Sequence, residues 1–403
     1  MPKTLIYNWQ IELGKFAPDL TFTVMHGVDR ETELWAKIDS NLIITTYHTA
    51  LKDIQEIKKR TWQCVILDES QQIKNPESLI FKAIRIIPAH HRLALSGTPV
   101  ENNLEDLWSQ ISFLNPGMLG SREWFRANFV IPIQKNKDLE KSEKLKKVVY
   151  PFILRRLKQD VAKELGDKVE QTLYVEMDKK QKSMYDKVRL LFKKQIEEDF
   201  ENSAAKAKFK VLEGLTKLRQ ICCHPALLDT ATQIESAKME LMLETLDDIV
   251  AEGHKVLIFS QFTSMLALIK PELDKRMIKY SYLDGKTDKR QAVVDHFNDT
   301  EEQKVFLISL KAGGVGLNLT SADYVFIYDP WWNPAVESQA VDRSHRIGQK
   351  NTVFVYRFVV KDSVEEKILT LQESKRELVK NIITVDESIM KKMDKDDIQN
   401  LFG

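Results

Sequence analysis

The 403-residue sequence has little cysteine, glycine or proline, and it has no long apolar run. Its three cysteines exclude a disulfide-stabilised scaffold and favour a reducing, cytoplasmic environment. With only 14 glycines and 12 prolines, we expect no long disordered segments. No apolar run approaches the ~18 residues of a membrane-spanning helix, so we expect no membrane partner.

The net charge is also small, and its sum hides a local excess. Sixty basic and 59 acidic residues give +1, which by itself argues against a nucleic-acid partner. Residues 121–220, however, contain 25 basic and 16 acidic residues. This segment therefore carries +9 and the rest of the chain −8. Its basic residues include Lys144, Lys146, Lys147, Arg155 and Arg156.

Strand and helix patterns alternate in the first 115 residues and again after residue 255. Short apolar runs predict buried parallel strands, and the amphipathic patterns between them predict crossover helices. The predicted strands are 41–47, 63–67 and 92–95, then 256–260, 280–283, 305–309, 324–328 and 353–360. The predicted helices are 79–87, 263–275, 288–298, 334–345 and 363–383.

The segment between the two α/β regions reads as helical and strongly charged. Helices are predicted at 141–149, 181–201 and 204–222. We therefore predict a first α/β domain at 1–118, helical insertions and a linker at 119–240, a second α/β domain at 241–360, and a terminal helix and tail at 361–403.

Polar groups follow two of the predicted strands in the first region. Asp68 and Glu69 come directly after the strand 63–67, where parallel α/β sheets bind their ligands. An aspartate there can hold Mg²⁺ on a nucleotide, and a neighbouring glutamate can orient or deprotonate water. The pair could equally be an ordinary surface feature. Ser96 to Pro99 follow the next strand, and alone they indicate only a turn.

The second region offers a glycine-rich turn and an arginine pair. Gly313, Gly314 and Gly316 follow the strand 305–309 and allow the backbone to approach a phosphate closely. Arg343 and Arg346 are three residues apart and would share one face if they lie on a helix. Two such guanidiniums suit a phosphate chain, although carboxylate partners on a solvated helix are the alternative.

In this order, the segments DESQ, LALSGTP, LKAGGVGLNLT and QAVDRSHRIGQ resemble the motor of the SWI/SNF-type DNA translocases, within helicase superfamily two. The similarity covers nearly the whole chain, including TLIYNWQIELGKFAP, LTKLRQICCHPALL, KVLIFSQFTSML and DPWWNPAVESQAVDRSHRIGQ. It implies an α/β fold of two RecA-like lobes separated by a helical insertion, with nucleotide between the lobes and duplex DNA across both.

The resemblance also implies roles for individual residues. Asp68 would be the Mg²⁺ ligand of bound ATP and Glu69 the catalytic base, while Ser96 and Thr98 would couple hydrolysis to lobe movement. Gln71 stands where many members have histidine, and it would contact the nucleotide and link its state to the second lobe. The remaining nucleotide contacts would be Gly314, Gly316, Gln339 and the arginine fingers Arg343 and Arg346. The expected DNA contacts, mainly to phosphates, are Thr45, Thr46, Thr287, Arg290, Lys311, Asn318, Thr320 and Trp332. Simple packing beside Trp331 is the alternative for Trp332.

One part of the family pattern has no match. The family's phosphate loop, G-x-x-x-x-G-K-[ST], lies ahead of the first matching segment. Gly285-Lys286-Thr287 is not such a loop, because Tyr280 stands where its leading glycine would be. We therefore expect a first lobe truncated at its N-terminus and lacking one strand. The chain would be the carboxyl-terminal part of a larger motor.

The resemblance leads to one main functional prediction and two alternatives. We expect an ATP-dependent translocase on double-stranded DNA that displaces bound protein. It would act as a monomer in the cytoplasm of a bacterium, associated with the nucleoid, and this chain alone would hydrolyse ATP poorly. The first alternative is a DNA-binding or scaffold fragment that does not hydrolyse ATP. A metal-dependent nuclease built on Asp68 and Glu69 is disfavoured, because no further carboxylate or histidine cluster accompanies them.

Overall fold

The computed structural model describes residues 1–27, 30–97, 104–136, 138–154, 156, 165–202, 204–313, 317–346, 348–370 and 372. The chain divides into two compact units, the first comprising the described residues up to 154 and the second those from 156 onward. No helix among these residues is long and apolar enough to cross a membrane.

The first unit is a parallel α/β structure whose strands form two separate pairs. Its elements are α1 (Ile6–Phe16), β1 (Phe22–Met25), β2 (Leu42–Thr45), α2 (Tyr47–Lys52), α3 (Ile54–Ile57), β3 (Trp62–Leu67), α4 (Leu79–Arg85), β4 (Ala89–Ala94), α5 (Leu104–Leu114), α6 (Arg122–Phe125), α7 (Ile131–Asn136) and α8 (Leu139–Val149). Among the described residues, strand β1 pairs with β2 alone and β3 with β4 alone, both in parallel.

A cleft separates the two strand pairs. This interstrand cleft has a volume of about 400 Å³ and is lined by residues 40–47 and 62–66, so that the unpaired backbone edges of β2 and β3 face it. The hydroxyl of Tyr47 donates to the carbonyl of Asp68 over 2.8 Å. The carboxyl ends of β2 and β3 therefore lie at the same end of the cleft.

The second unit contains one continuous sheet. Its elements are β5 (Lys168–Val175), α9 (Lys179–Asn202), α10 (Ala204–Cys223), α11 (Ala237–Ala251), β6 (Val256–Ser260), α12 (Thr263–Lys275), β7 (Tyr280–Leu283), α13 (Arg290–Asp299), β8 (Val305–Ser309), α14 (Leu310–Gly313), β9 (Tyr324–Ile327), α15 (Pro334–Val341), β10 (Val353–Val360) and helical residues 364–370. All strands are parallel, in the order β5-β10-β9-β6-β8-β7.

Helices cover both faces of this sheet, so its central strands are buried on both sides. Every residue of β6, β8 and β9 is buried. The apolar runs VLIFS, VFLIS and YVFI are what such strands require, because neither face meets water. Helices α9 and α10 pack side by side around a cluster that includes Tyr185, Phe192 and Leu218. We call this pair the α9–α10 hairpin.

The structure confirms an α/β fold in both regions and differs from the prediction in several elements, of which two strands and one helix end bear on the site. Strand β1 was not predicted, and β5 lies within the segment interpreted as purely helical. The sequence of β5, KVEQTLYV, includes Lys168 and Glu170, which the exposed first half of an edge strand tolerates. The helix predicted at 334–345 ends at Val341, because the N–H of Arg343 donates to the carbonyl of Ala340 in a tighter turn.

Candidate nucleotide and DNA site

Asp68 stands immediately after β3 and is held from three directions. Its Oδ1 accepts the backbone N–H of Glu69 over 2.9 Å, and its Oδ2 accepts the indole N–H of Trp9 over 2.7 Å. The hydroxyl of Tyr47 donates to its carbonyl. These bonds fix the carboxylate at the carboxyl end of the strand, where α/β sheets present ligand-binding groups.

Glu69 and the next strand end are joined by side-chain hydrogen bonds. The amide N–H of Gln71 donates to Glu69 Oε2 over 2.6 Å, and the hydroxyl of Ser96 donates to Gln71 Oε1 over 3.0 Å. Glu69 has φ = 51°, a left-handed conformation that is costly for a residue with a side chain. The backbone therefore turns sharply after Asp68 and brings the two predicted strand-end groups together. We call Glu69, Gln71 and Ser96 the relay.

Two aromatic residues at this site were not singled out from the sequence. Burial, followed by the nearby charges of Asp68 and Glu69, raises the pKa of Tyr47, which therefore stays protonated and donates. Trp9 contacts Asp68 from α1, 59 positions earlier in the chain. Tryptophan and tyrosine in amphipathic segments usually indicate packing, so only their N–H and O–H groups could have signalled a polar contact.

The two threonines predicted to contact DNA have local bonding partners in the first unit. The hydroxyl of Thr45 donates to the carbonyl of Met25 over 2.8 Å, linking β2 to β1. Thr46 is 4% exposed and caps α2 by accepting the N–H of Thr49. A DNA contact from either residue stays a prediction, and the burial of Thr46 counts against one from its side chain.

In the second unit, the predicted arginines lie beyond a helix rather than on it. Gln339 belongs to α15, whereas Arg343 and Arg346 occupy the turns that follow. This corrects the expectation that both arginines share one helical face. The N–H of Leu319 donates to the carbonyl of Arg343 over 3.0 Å, so these turns adjoin the loop that contains Asn318 and Thr320.

Three further predicted DNA contacts lie on turns or at a helix start in the second unit. Thr287 belongs to the turn after β7 and bonds Asp284, and Arg290, the first residue of α13, donates to the carbonyls of Thr287 and Gly285. Trp332 is half-buried against the α9–α10 hairpin. This packing agrees with the alternative interpretation of Trp332 and leaves its DNA contact a prediction.

Some predicted residues fall outside what is described. Thr98, Gly314 and Gly316 lie outside the described residues, and for Lys311 only the backbone is described. Among the described residues, no cluster of three or more histidine, cysteine, aspartate or glutamate side chains could hold a metal ion. Any metal at Asp68 would therefore take its other ligands from elsewhere, as Mg²⁺ does when it binds nucleotide phosphates and water.

The fold and the strand-end groups together define the class of protein. Two parallel α/β units, one with acidic and polar groups at its strand ends and the other with arginines after a sheet-packed helix, correspond to the two RecA-like lobes of the SWI2/SNF2 core fold. The chain belongs to the SNF2-related family. The SNF2-related domain matches residues 1–227, and the helicase conserved C-terminal domain matches residues 237–348.

Individual relatives agree with this assignment. The chain is 37% identical to an uncharacterized ATP-dependent helicase of Mycoplasma genitalium, aligning over 100% of this chain and 38% of that protein. It is 34% identical to the ISWI chromatin-remodeling complex ATPase ISW1 of Saccharomyces cerevisiae, over 97% of this chain and 36% of that protein. It thus spans less than two fifths of the length of these relatives.

A solved structure extends the similarity to the fold. The Sulfolobus solfataricus SWI2/SNF2 ATPase core in complex with double-stranded DNA is 37% identical and superposes with a TM-score of 0.52. The match covers 99% of this chain and 84% of that one. The resemblance drawn from the sequence motifs is therefore confirmed at the level of family and fold.

Proposed function

We propose that this chain is the motor portion of an ATP-driven translocase on double-stranded DNA that displaces bound protein. The reaction would convert ATP and water to ADP and phosphate, stimulated by DNA. Membership of the SNF2-related family supports the reaction class. The DNA-bound Sulfolobus relative supports duplex DNA as the track. We propose action as a monomer on bacterial nucleoid DNA.

The relay carries this proposal. Hydrolysis in such a motor must report the state of the terminal phosphate to a moving part, which requires a physical connection between the catalytic group and a neighbouring strand end. Gln71 supplies one by bonding Glu69 and Ser96 at the same time. Glutamine can do so because its amide carries both a donor and an acceptor.

The donor chemistry at Asp68 fits Mg²⁺ bound to ATP. A single carboxylate is the contribution that nucleotide sites make to this ion, with phosphate oxygens and water completing the shell. When bound, the ion would neutralise phosphate charge. Glu69 would orient the attacking water, and Arg343 and Arg346 would stabilise the charge of the transferred phosphoryl group.

The residues proposed to act on ATP include no phosphate-binding loop. The 403 residues contain no G-x-x-x-x-G-K-[ST] loop, whose amides and lysine would hold the β- and γ-phosphates. We therefore expect slow ATP hydrolysis by this chain alone, with DNA binding less affected. DNA contacts to phosphates would make the affinity fall steeply with salt and depend little on sequence.

An ATPase assay tests the catalytic assignment. Phosphate release by the chain would be measured with and without duplex DNA, beside Glu69→Gln and the exposed control Glu33→Gln in the same unit. We expect slow release that rises with DNA and is abolished only by the change at Glu69. Hydrolysis unaffected by Glu69→Gln would contradict the role of Glu69. Fast hydrolysis abolished by that change would contradict our account of the phosphate loop.

A DNA-binding fragment without hydrolysis is the second candidate. The bond from Trp9 to Asp68 favours it, because the indole occupies one of the two carboxylate oxygens that a magnesium ion would use. Duplex binding that depends on salt and is unchanged by ATP would support this candidate. Binding that changes with the nucleotide would support the motor.

A further inference from the structure

Arg219 is a buried arginine to which the proposed chemistry assigns no role. It lies on α10, is 3% exposed, and donates to the carbonyl of Pro330 over 2.5 Å, with Asp329 Oδ2 at 3.5 Å. Three aromatic rings surround its guanidinium, with centroids 5.5–5.8 Å from Cζ: Phe262, Trp331 and Trp332. A buried charge is costly unless it is paired, so its placement requires an explanation.

Apart from Phe262, the partners of Arg219 belong to one segment, residues 328–332, which we call the 328–332 turn. It follows β9 near the middle of the sheet, where the strand ends form ligand sites. Buried side chains hold its backbone as well. Lys238 donates to the carbonyl of Tyr328 over 2.9 Å, the N–H of Trp331 donates to Glu337 over 2.7 Å, and Gln372 donates to the carbonyl of Trp331.

The 328–332 turn is continuous with α15. Asn333 caps that helix by accepting the N–H of Ala335 over 2.9 Å, and Glu337 on α15 bonds both Trp331 and Arg357. The turn and the helix are thus fixed to each other. The position of the turn therefore determines where Gln339 lies on α15 and where Arg343 follows it.

We propose that Arg219 is a positioning residue that fixes the 328–332 turn to the α9–α10 hairpin. The position of the hairpin is thereby transmitted to Trp332 and, through α15, to Gln339 and Arg343. The functional consequence rests on the proposed function, in which these residues meet DNA and nucleotide. Arginine suits the position because one guanidinium donates in its plane and stacks its faces on rings, which a lysine ammonium cannot do.

The carboxylate of Asp329, next to Arg219, makes the pH dependence of the turn a second test of the proposal. Burial raises the pKa of Asp329 to about 6, while Arg219 and the hydroxyl of Ser260 oppose this shift. Lys238 also lowers it, and Glu365 raises it. Without the guanidinium, the pKa of Asp329 should rise further. The turn would then respond to pH nearer neutrality than it does in the unmodified chain.

Four variants separate positioning from stability: Arg219→Met, Arg219→Lys, the double variant Arg219→Met with Asp329→Asn, and Lys217→Met. Lys217 lies on the same helix and pairs with Glu213 on the surface, so its change matches the loss of one positive charge. The readouts are the emission of Trp332, isolated by difference from Trp332→Phe, its pH profile, affinity for a duplex DNA probe, and the denaturant midpoint.

The double variant is decisive. Removing both charges avoids a buried unpaired carboxylate and should recover most of the stability lost in Arg219→Met. The turn would still lack its anchor, so Trp332 emission should stay shifted and DNA affinity should stay about threefold to thirtyfold weaker, the range reached by positional coupling. Arg219→Lys should recover part of the DNA affinity, and Lys217→Met should keep the Trp332 emission and its pH profile.

Two outcomes would overturn the proposal. The first is wild-type Trp332 emission and DNA affinity in the double variant, which would leave Arg219 a purely structural residue. The second is an unshifted pH profile of Trp332 emission in Arg219→Met. If the unmodified chain binds no duplex DNA, the proposed function fails instead, and Trp332 emission still decides whether Arg219 positions the turn.

Discussion

The two units build parallel sheets from similar sequence patterns and bury them very differently. In the second unit, β6 and β8 are buried at every residue. In the first unit, β3 has three exposed residues, and its Ile66 is 46% exposed beside Leu93 of β4, which is also 46% exposed. Apolar parallel strands are therefore partly exposed to solvent in the first unit and fully buried in the second.

The two units differ in burial because their strands are paired differently. Strands β6, β8 and β9 each have partners on both edges, whereas β2 and β3 each leave one edge facing the interstrand cleft. Unpaired backbone edges accept further strands readily. Among the described residues, the first unit therefore has an open cleft between two strand edges that one more parallel strand could occupy, whereas the sheet of the second unit is unpaired only at its outer strands β5 and β7.

The largest expected effect comes from filling the interstrand cleft. A segment with an extended apolar strand followed by a G-x-x-x-x-G-K-[ST] loop, fused ahead of residue 1 through a flexible linker, should pair with β2 and β3. Its loop would then lie near Asp68. We expect DNA-stimulated phosphate release to rise from near background to turnover that Glu69→Gln abolishes.

The matched control carries a proline in the added strand at a position that must donate a hydrogen bond. It keeps the composition and the phosphate loop but cannot pair on both edges. Hydrogen exchange of the β2 and β3 amides should slow only with the pairing-competent segment. Equal exchange with both segments would show that the cleft does not accept a strand.

The second largest expected effect is the difference in stability lost when a buried ion pair is broken in each unit. Lys238 and Glu365 are both 0% exposed and 2.6 Å apart in the second unit, while Arg30 and Asp53 form the corresponding pair of the first, with 15% and 2% exposed side chains. Lys238→Met leaves a buried carboxylate unpaired and should cost about 3–5 kcal/mol. Arg30→Met should cost less, because water can reach its site.

Urea denaturation followed by hydrogen exchange in each unit measures both costs. Lys238→Met with Glu365→Leu serves as the control, since replacing both charges should recover most of the loss. A larger cost for Arg30→Met than for Lys238→Met would reverse the comparison.

Much of this arrangement was predictable because the second unit follows simple rules. VLIFS, VFLIS and YVFIY are continuous apolar runs, and full burial on both faces is the environment that produces them. The positions of Asp68, Glu69 and Ser96 at strand ends followed from the same patterns. The order of the motifs then identified the family.

The rest depends on contacts that sequence separation conceals. Strand β5 carries Lys168 and Glu170, so its pattern resembles the charged helices around it, and only pairing with β10 makes it a strand. The contact from Trp9 to Asp68 spans 59 positions. Where α15 ends is set by a local turn after Val341, which helical periodicity does not reveal.

Matched isoleucines in the two sheets give the next largest effect. Ile308 in β8 is fully buried, and Ile66 in β3 is 46% exposed. Ile308→Ala should cost about 2–5 kcal/mol through lost burial and a residual cavity. Ile66→Ala should cost less than about 1 kcal/mol, because half of its side chain already meets water. Thermal or urea denaturation measures both, and equal costs would mean that Ile66 is covered in solution.

The smallest effect concerns the edge strand β5. Arg357 lies 2.8 Å from Glu170, and although burial raises the pKa of Glu170, its bonds to Lys168 and Arg357 hold that pKa at about 2, below the ordinary 4.5. A carboxylate with a lowered pKa stabilises the fold above its unfolded pKa and loses that contribution as the pH falls. Protection of the β5 amides should therefore decline between about pH 4.5 and pH 2.

Glu170→Gln should remove this pH dependence and lower the stability of β5 at neutral pH by about 1–2 kcal/mol, a value reduced by the 30% exposure of the carboxylate. Hydrogen exchange of the β5 amides at several pH values measures it, with Glu176→Gln as the control because that carboxylate is 75% exposed. Central β6 should stay protected throughout, since its edges are paired on both sides. Loss of protection in β6 together with β5 would show that the edge strand and the centre of the sheet open as one unit.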